Sequence, residues 1–486
     1  RVGILQQTTL LERGTELRSE PVGAANTTCR FTTAFDVPLQ PITLKSADIK
    51  WPDTRSSVVT LRFALDRGVE LSSLDVEKLR LFFFAEPAVA STMRWFFASN
   101  VRRVTYRAGG NTVELSGPEA IHGVGFGQDE GLLPFGKYSF AGYRLLMEYF
   151  SFRPKFWFAD LLQLGRLAPE SGVSEFEVEI HFDRPYPEDR KFSTENIRLF
   201  CTPVTNLFDA DSEPVVVNHR ASEYRLIADI QRPDTVRIYD IQSVTGRVQA
   251  TDERHKYHPY FGFEHHASDA RHFTETARVG ASGNRDVYVA LGGLGEAVSD
   301  MEPETLSIEI RCTNGDLPRQ ALQEGGINQF APGVPNVATV RNITRPSVER
   351  MSPAEERESF LWQLVSHLAL NKTCTATPEA LVSLLRLYDW VDSDANRLRL
   401  DGVRNVSWEP AEQMFRGGVI RGAEVTVEVQ DGHFPDDGDL HLWGTVLSEF
   451  YSMYATINSL VHLKLITSPS GKQFFWQPER GVQPVF

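Results

Sequence analysis

The chain has 486 residues, of which 41% are hydrophobic and 23% charged, and its formal net charge is −14. At ~100–200 residues per domain that length allows two to four domains, each able to bury a core without disulfide staples. The acidic balance excludes a general nucleic-acid binder, which needs a basic surface to displace counterions, and an anionic membrane surface would repel it; partners are expected to be proteins.

Strands dominate the first two-thirds. "SVVTLRFAL" (57–65) and "EFEVEIHF" (175–182) alternate with period two; in the second, Phe176, Val178, Ile180 and Phe182 share one face, the pattern of a half-buried antiparallel strand. Further strands are expected at 78–84, 101–107, 154–160, 224–229, 236–244, 272–278, 286–291 and 305–312, with turn signals such as "AGGN" and "ASGN" between them. Beyond about 345 the character changes. "ESFLWQLVSHLALN" (358–371) and "TPEALVSLLRLYDW" (377–390) read as adjacent amphipathic helices, the second capped by Thr377-Pro378. A strand at 421–430, an aromatic-rich helix at about 440–460 and strands at 461–467 and 473–477 follow. The expected fold class is α+β and multidomain: β-sandwich-like domains at 1–165 and 166–345, then a mixed α/β domain at 346–486.

Complete catalytic constellations are missing from the sequence. No GxSxG, HExxH or GxxxxGK[ST] occurs, and the glycine run "GVGFGQDEG" (123–131) has no following helix that would make it a phosphate cradle. His255, His258, His265 and His266 crowd one segment, but H-x₂-H followed by His-His is no established zinc pattern, and no metal and no cofactor are expected. "DGHFPDDGD" (431–439) lacks the spacing of a calcium loop and reads as a turn into a helix, with Asp439 as N-cap. Cys29, Cys201, Cys312 and Cys374 are dispersed singly, as in a cytosolic protein with reduced thiols. No run reaches the ~18 apolar residues of a spanning helix, so no direct membrane insertion is expected.

Two segments carry the candidate functional residues. In "GYRLLMEYFSFRPKFWFADLL" (142–162), seven of the sixteen residues from Tyr143 to Phe158 are aromatic. Arg144 and Glu148 are spaced as an i,i+4 pair, Pro154 ends the helix, and Phe156 and Phe158 are expected as core or deep-interface rings on a following strand. In "LHLWGTVLSEFYSMYATINSL", Leu447, Tyr451, Tyr454 and Asn458 form one helical stripe, and Val446, Phe450, Met453 and Ile457 form a second. The Tyr451–Tyr454 stripe is expected either to face outward, toward a partner, or to be internal core.

"GFGQDEGLLPFGKYSFAGYRLLMEYFSFRPKFWFADL" resembles the signature region of the TssF family (also VasA or ImpG), baseplate subunits of type VI secretion systems. "RGTELRSEPVGAANTTCRFTTAFDVPLQP", "PVTNLFDADSEPVVVNHRASEYRLIADIQRPDTVRIYDI", "CTNGDLP", "WQLVSHLALN", "LLRLYDW", "RGAEVTVEV" and "WGTVLSEFYSMYATINSL" resemble further blocks of that family in the same order. The chain departs at Gly315, where the family usually carries Arg, and the resemblance implies an N-terminal helical segment ahead of Arg1. It implies a cytoplasmic structural protein without enzymatic activity. Two copies would join one TssG in a wedge that also holds TssE and TssK and surrounds a VgrG hub, in a baseplate docked to the inner-membrane complex. The competing expectations are a ligand- or carbohydrate-binding β-sandwich using the aromatic segment as a platform, and a metal-dependent hydrolase built on the histidines.

Overall fold

The computed structural model describes residues 5–74, 76–136, 139–167, 172–218, 221–260, 271–280, 283–293, 302–333, 338–350, 352–353, 358–368, 377–415, 418–455, 459–477 and 479–481. The fold is multidomain α+β. It divides into two compact units, one formed by Arg1–Arg13, Ala34–Pro203 and Phe360–Phe486, the other by Gly14–Thr33 and Val204–Ser359. The three consecutive spans read from the sequence, 1–165, 166–345 and 346–486, therefore differ from the observed division. Composition registers changes along the chain, whereas a unit is defined by which distant segments share a core.

In the first unit, alternation of apolar and polar residues builds an antiparallel five-stranded sheet, ordered Ile42–Lys50, Ser57–Leu65, Glu175–Phe182, Val101–Ala108, Asn111–Ser116. Its Val59, Leu61, Phe63, Phe176, Val178 and Ile180 are buried. A four-stranded antiparallel sheet contains β1 (Lys78–Phe83) and β2 (Phe158–Leu162) as its central pair. Helix α1 (Pro87–Ser99) buries every residue from Ala90 to Phe97, and its Met93, Phe96 and Phe97 join the side chains of both sheets in one core. Helix α2 (Ala141–Ser151) buries Leu145, Leu146, Tyr149 and Phe150. After it, Arg153–Phe156 forms a 3₁₀ turn, and the strand begins only at Phe158. This corrects the strand expected at 154–160: Pro154 sets the turn's geometry, and the chain folds back before it extends.

Four helices complete this unit: α3 (Glu358–Leu368), α4 (Pro378–Tyr388), α5 (Asp394–Asp401) and α6 (Asp437–Tyr454). Thr377 caps α4 by accepting from the Ala380 amide at 3.3 Å. The link between α3 and α4, and Cys374 within it, lie outside the described residues. Strands β3 (Val403–Phe415), β4 (Gly418–Gln430) and β5 (Leu460–Ser468) form the C-terminal sheet, with Gln473–Phe475 and Glu479–Arg480 on the far edge. β4 and β5 are parallel, and α6 is the crossover between them. The cap of α6 is Asp436, which accepts from the Asp439 amide at 2.8 Å; the expected cap, Asp439, is already inside the helix.

The second unit has a four-stranded sheet holding Glu16–Val22 and Thr27–Thr33. In its eight-stranded sheet the longest pairing joins Glu304–Thr313 to Arg237–Val248. Val244, Leu306, Ile308, Ile310 and Cys312 form the core of the larger sheet.

Helices α1 and α6 cross closely at Gly438. A Cβ there would lie 2.5 Å from the Ser91 carbonyl oxygen and 2.7 Å from the Thr92 nitrogen, both backbone atoms that cannot swing aside. Gly438→Ala is expected to destabilise the first unit by about 1–3 kcal/mol, the usual cost of overpacking, as read by chemical denaturation.

Candidate functional site

The signature segment is organised around one carboxylate. Glu148 sits on the buried side of α2 with 1% of its side chain exposed. A charge there requires donors within reach, and it has them from two directions. The 3₁₀ turn brings back Lys155, itself 2% exposed, whose ammonium donates to Glu148. The amides of Leu132 and Leu133 donate to Glu148 Oε1 at 2.7 and 3.1 Å. The expected partner, Arg144, lies 4.0 Å away and supplies only a longer-range contribution. Burial holds the Lys155 ammonium below its ordinary value against the pull of Glu148.

The loop before α2 is fixed in the same manner. Glu130 accepts from the amides of Gly125 and Gly127 at 2.7 and 3.0 Å. The glycine run therefore cradles a carboxylate of its own chain. Gly125 has φ +112°, and a Cβ there would come within 2.8 Å of the Phe156 ring, so glycine is required on both counts. Arg80 on β1 binds Asp160 on β2 through two parallel bonds of 2.7 and 2.8 Å and reaches Glu130 at 3.2 Å. Arg13 donates to the carbonyls of Asp129 and Gly131 at 2.6 and 2.9 Å.

A second cluster ties this segment to the C-terminal helix. Asp439 accepts from Arg399 at 2.6 Å and from Arg153 at 3.1 Å. Two residues on, His441 faces Arg94 of α1, with Arg94 Nη1 at 3.4 Å from His441 Nδ1. Both are enclosed: burial pushes the Arg94 guanidinium down to about 10, and burial together with the Arg94 charge holds His441 well below its ordinary value. The rings of Trp95, Phe474 and Trp476 surround the imidazole.

Of the sequence-derived candidates, Phe156, Phe158, Leu447, Phe450 and Tyr451 lie in this interior. Phe156 packs against Phe126 and Tyr149, and Phe158 against Phe35 and Phe82; both rings are buried. On α6, Leu447, Phe450 and Tyr451 are buried, as is Val446. Of the two positions expected for Tyr451, outward boundary or internal core, the core position is the one observed: Tyr451 is 1% exposed and meets Trp408 of β3 edge-to-face. Tyr454 ends the helix; its side chain, Ile457 and Asn458 lie outside the described residues.

The exposed apolar face belongs to α3 instead. Leu361, Trp362 and Val365 are exposed, Trp362 at 75%, while Phe360 is buried and lies against Trp390. The sequence places Leu361 and Val365 on α3's apolar stripe; that the stripe faces solvent is what periodicity does not reveal.

His255 and His258 share one strand, Arg254–Pro259. His255 pairs with the buried Glu304 at 2.8 Å beside Arg271, over Gly246, which has no side chain to block them. His258 is on the neighbouring stretch of the same strand, and His265 and His266 lie outside the described residues. Among the described residues, no three His, Cys, Asp or Glu side chains converge as a metal site, and no helix is long and apolar enough to cross a membrane. Burial pushes the Cys29 thiol up to about 11 and those of Cys201 and Cys312 up to about 12. At Gly315, a Cβ would lie 2.7 Å from the Arg237 guanidinium, which occupies the space a side chain would enter.

Charged clusters thus fix the interior of the first unit, and an apolar face of α3 is left outward. The chain belongs to the family described as "Type VI secretion system, TssF", whose profile matches residues 1–483. It is 27% identical to the type VI secretion system component TssF1 of Pseudomonas aeruginosa over 531 aligned positions, covering 99% of this chain and 83% of that protein. A chain of a TssK-TssF-TssG baseplate subcomplex solved by cryo-electron microscopy is similar in structure, with TM-score 0.83 and 28% identity, covering 99% of this chain and 90% of that one. A chain of a type VI secretion baseplate complex gives TM-score 0.65 and 26% identity, over 100% and 84%. The protein is a structural component of the type VI secretion baseplate.

Two outcomes follow from the clusters. Lys155→Met strands the Glu148 charge and is expected to cost roughly 3–5 kcal/mol; combining it with Glu148→Gln, which keeps an acceptor for the two amides, recovers much of that loss in urea denaturation. Because folded His441 titrates far below its ordinary 6.5, acid protonates the unfolded chain first. Stability is thus retained above pH ~6.5 and falls as pH drops below it. In His441→Gln, the pH dependence of the melting temperature between pH 7 and 5 should be shallower.

Proposed function

We propose that this chain is a wedge subunit without catalytic turnover. In this reading it joins a second copy of itself and one TssG, in a wedge that also carries TssE and TssK around a VgrG hub. The assembly is cytoplasmic and docked to the inner-membrane complex. The observation that carries the reading is the similarity, over 99% of the chain, to a subunit solved within a TssK-TssF-TssG subcomplex. The polar clusters support it, since their charges serve internal geometry. Phe156, Phe158, Leu447, Phe450 and Tyr451 act as the core that keeps the assembly surface in shape. The outward face of α3, with Leu361, Trp362 and Val365, is the proposed contact for the TssG-like subunit, since permanent interfaces are built on apolar and aromatic side chains.

Co-expression with a TssG-like partner, followed by mass measurement of the purified complex, tests the assembly. The expected complex holds two copies of this chain and one partner. Trp362→Asp should abolish capture while leaving the melt of the free chain unchanged, because the ring it removes is exposed. Undiminished capture would remove α3 from the interface, and failure of the unmodified chain to be captured would overturn the reading itself.

A further inference from the structure

The five-stranded sheet of the first unit ends at the strand Asn111–Ser116, which pairs with Val101–Ala108 on one side. Gly109 and Gly110, both with positive φ, make the tight turn between them, so Ala108 and Asn111 close the hairpin. Counting from that closing pair, Asn111, Val113 and Leu115 exchange backbone bonds with the neighbouring strand. The amides and carbonyls of Thr112 and Glu114 therefore point the other way. Ser116 keeps the alternation, since its amide donates to Glu119 Oε2 at 3.2 Å instead of to the sheet. Thr112 and Glu114 are exposed, and among the described residues no strand and no backbone bond meets them on that side. Such an edge is a template for another extended chain.

The polar face of the sheet carries its charges in rows that run across the strands. One row is Ser46, Arg62, Glu177, Arg107 and Thr112, and the next is Asp48, Thr60, Glu179, Thr105 and Glu114. The first sets Arg62 and Arg107 against Glu177; the second holds Asp48, Glu179 and Glu114 with no cation in it. Glu114 meets Arg103 at 3.1 Å, but its side chain is 57% exposed, and that of Arg107 is 45% exposed. Pairs as open as these exchange partners at little cost.

We propose that this edge is a contact between two copies of the chain, whose edge strands lie antiparallel about Val113 and join the two sheets into one. A two-fold contact requires the antiparallel sense. In this register Thr112 of each copy exchanges both backbone bonds with Glu114 of the other, and Val113 meets Val113 on the apolar face. The basic row of each copy then runs into the acidic row of the other. Centring the strands on Glu114 would instead oppose Glu114 to Glu114 and acidic row to acidic row, and centring them on Thr112 would oppose basic row to basic row. Charge thus selects a second copy as occupant, and one alignment of it. The seam is read from the sheet alone and does not rest on the wedge reading, since the free chain tests it.

Sedimentation velocity of the full chain at increasing concentration measures the contact, and cysteine cross-linking reads its register. A weak, concentration-dependent dimer is expected, because the seam is short. Thr112→Pro should weaken it by about tenfold or more while leaving the melt of the dilute chain unchanged, since the amide it removes lies on the open side of an edge strand. Opposite Cα atoms in such a ladder lie ~4.5–5.5 Å apart, within reach of a disulfide. Under oxidation Val113→Cys should therefore give a covalent dimer, and so should a mixture of Thr112→Cys and Glu114→Cys chains, whereas the unmodified chain and either of these two alone should not. The cross-links read the seam without altering the backbone. A chain that stays monomeric at every concentration, a dimer indifferent to Thr112→Pro, or coupling of Glu114→Cys to itself in preference to Val113→Cys would each overturn the proposal. A monomeric chain that holds a different protein through this edge, and loses it in Thr112→Pro, would assign the edge elsewhere and overturn it as well.

Discussion

A carboxylate buried in the middle of a helix has to be met by donors, and Glu148 constrains the first unit through the donors it takes. Lys155 reaches it only if the chain turns back directly after Pro154, and the Leu132 and Leu133 amides reach it only if the preceding loop lies against α2. Those two conditions fix where β2 starts, and so place Asp160 opposite Arg80 and Arg153 within reach of Asp439. A buried ion pair is seldom more stabilising than a well-packed apolar pair of the same volume. Its contribution here is geometric, since few backbone paths satisfy all its partners together.

The same economy governs the aromatic residues. Rings between Tyr143 and Phe158 interlock with rings from other segments; Tyr143 stacks on Tyr388 of α4 at 4.8 Å. Phe450 on α6 lies near Phe140 and Tyr143, so the core of the signature segment and the C-terminal helix are packed as one. An interior committed in this way leaves interaction to the periphery, where Trp362 on α3 and Phe475 on the strand Gln473–Phe475 are exposed. Both sit on regular secondary structure, which holds a contact surface in a defined orientation.

Legibility in the sequence followed the range of the interactions. Ser57–Leu65 and Glu175–Phe182 match their expected bounds, because a strand with one wet face writes its period into the residues. Helix α1 escaped notice since it is buried all round and has no polar face to reveal a 3.6-residue period. β3 carries Pro410 and several charges and is tolerated as a strand because it lies on the sheet's edge. The hydroxyl of Tyr451 is compatible with a wet boundary or a core position, and only the neighbouring sheet decides between them. Glu148 was assigned to Arg144 by spacing along one helix, whereas Lys155 arrives through a turn that helical periodicity does not describe. The candidate assembly face on α3 was legible as an apolar stripe but not as a surface, for a stripe does not say what covers it.

The interleaved division of the chain has a consequence for biosynthesis. Asp436, Asp439 and His441, which close the first unit around α1 and α2, leave the ribosome more than two hundred residues after Pro203, the end of that unit's long early segment. At ~5–20 residues per second the delay is roughly ten to fifty seconds. Throughout it, Arg94 and Trp95 wait for part of their enclosure, while the second unit emerges in between with nearly all of its own strands. The nascent chain thus carries the α1 face that meets α6 uncovered while the second unit emerges, so translation rate sets how long Arg94 and Trp95 stay open to solvent.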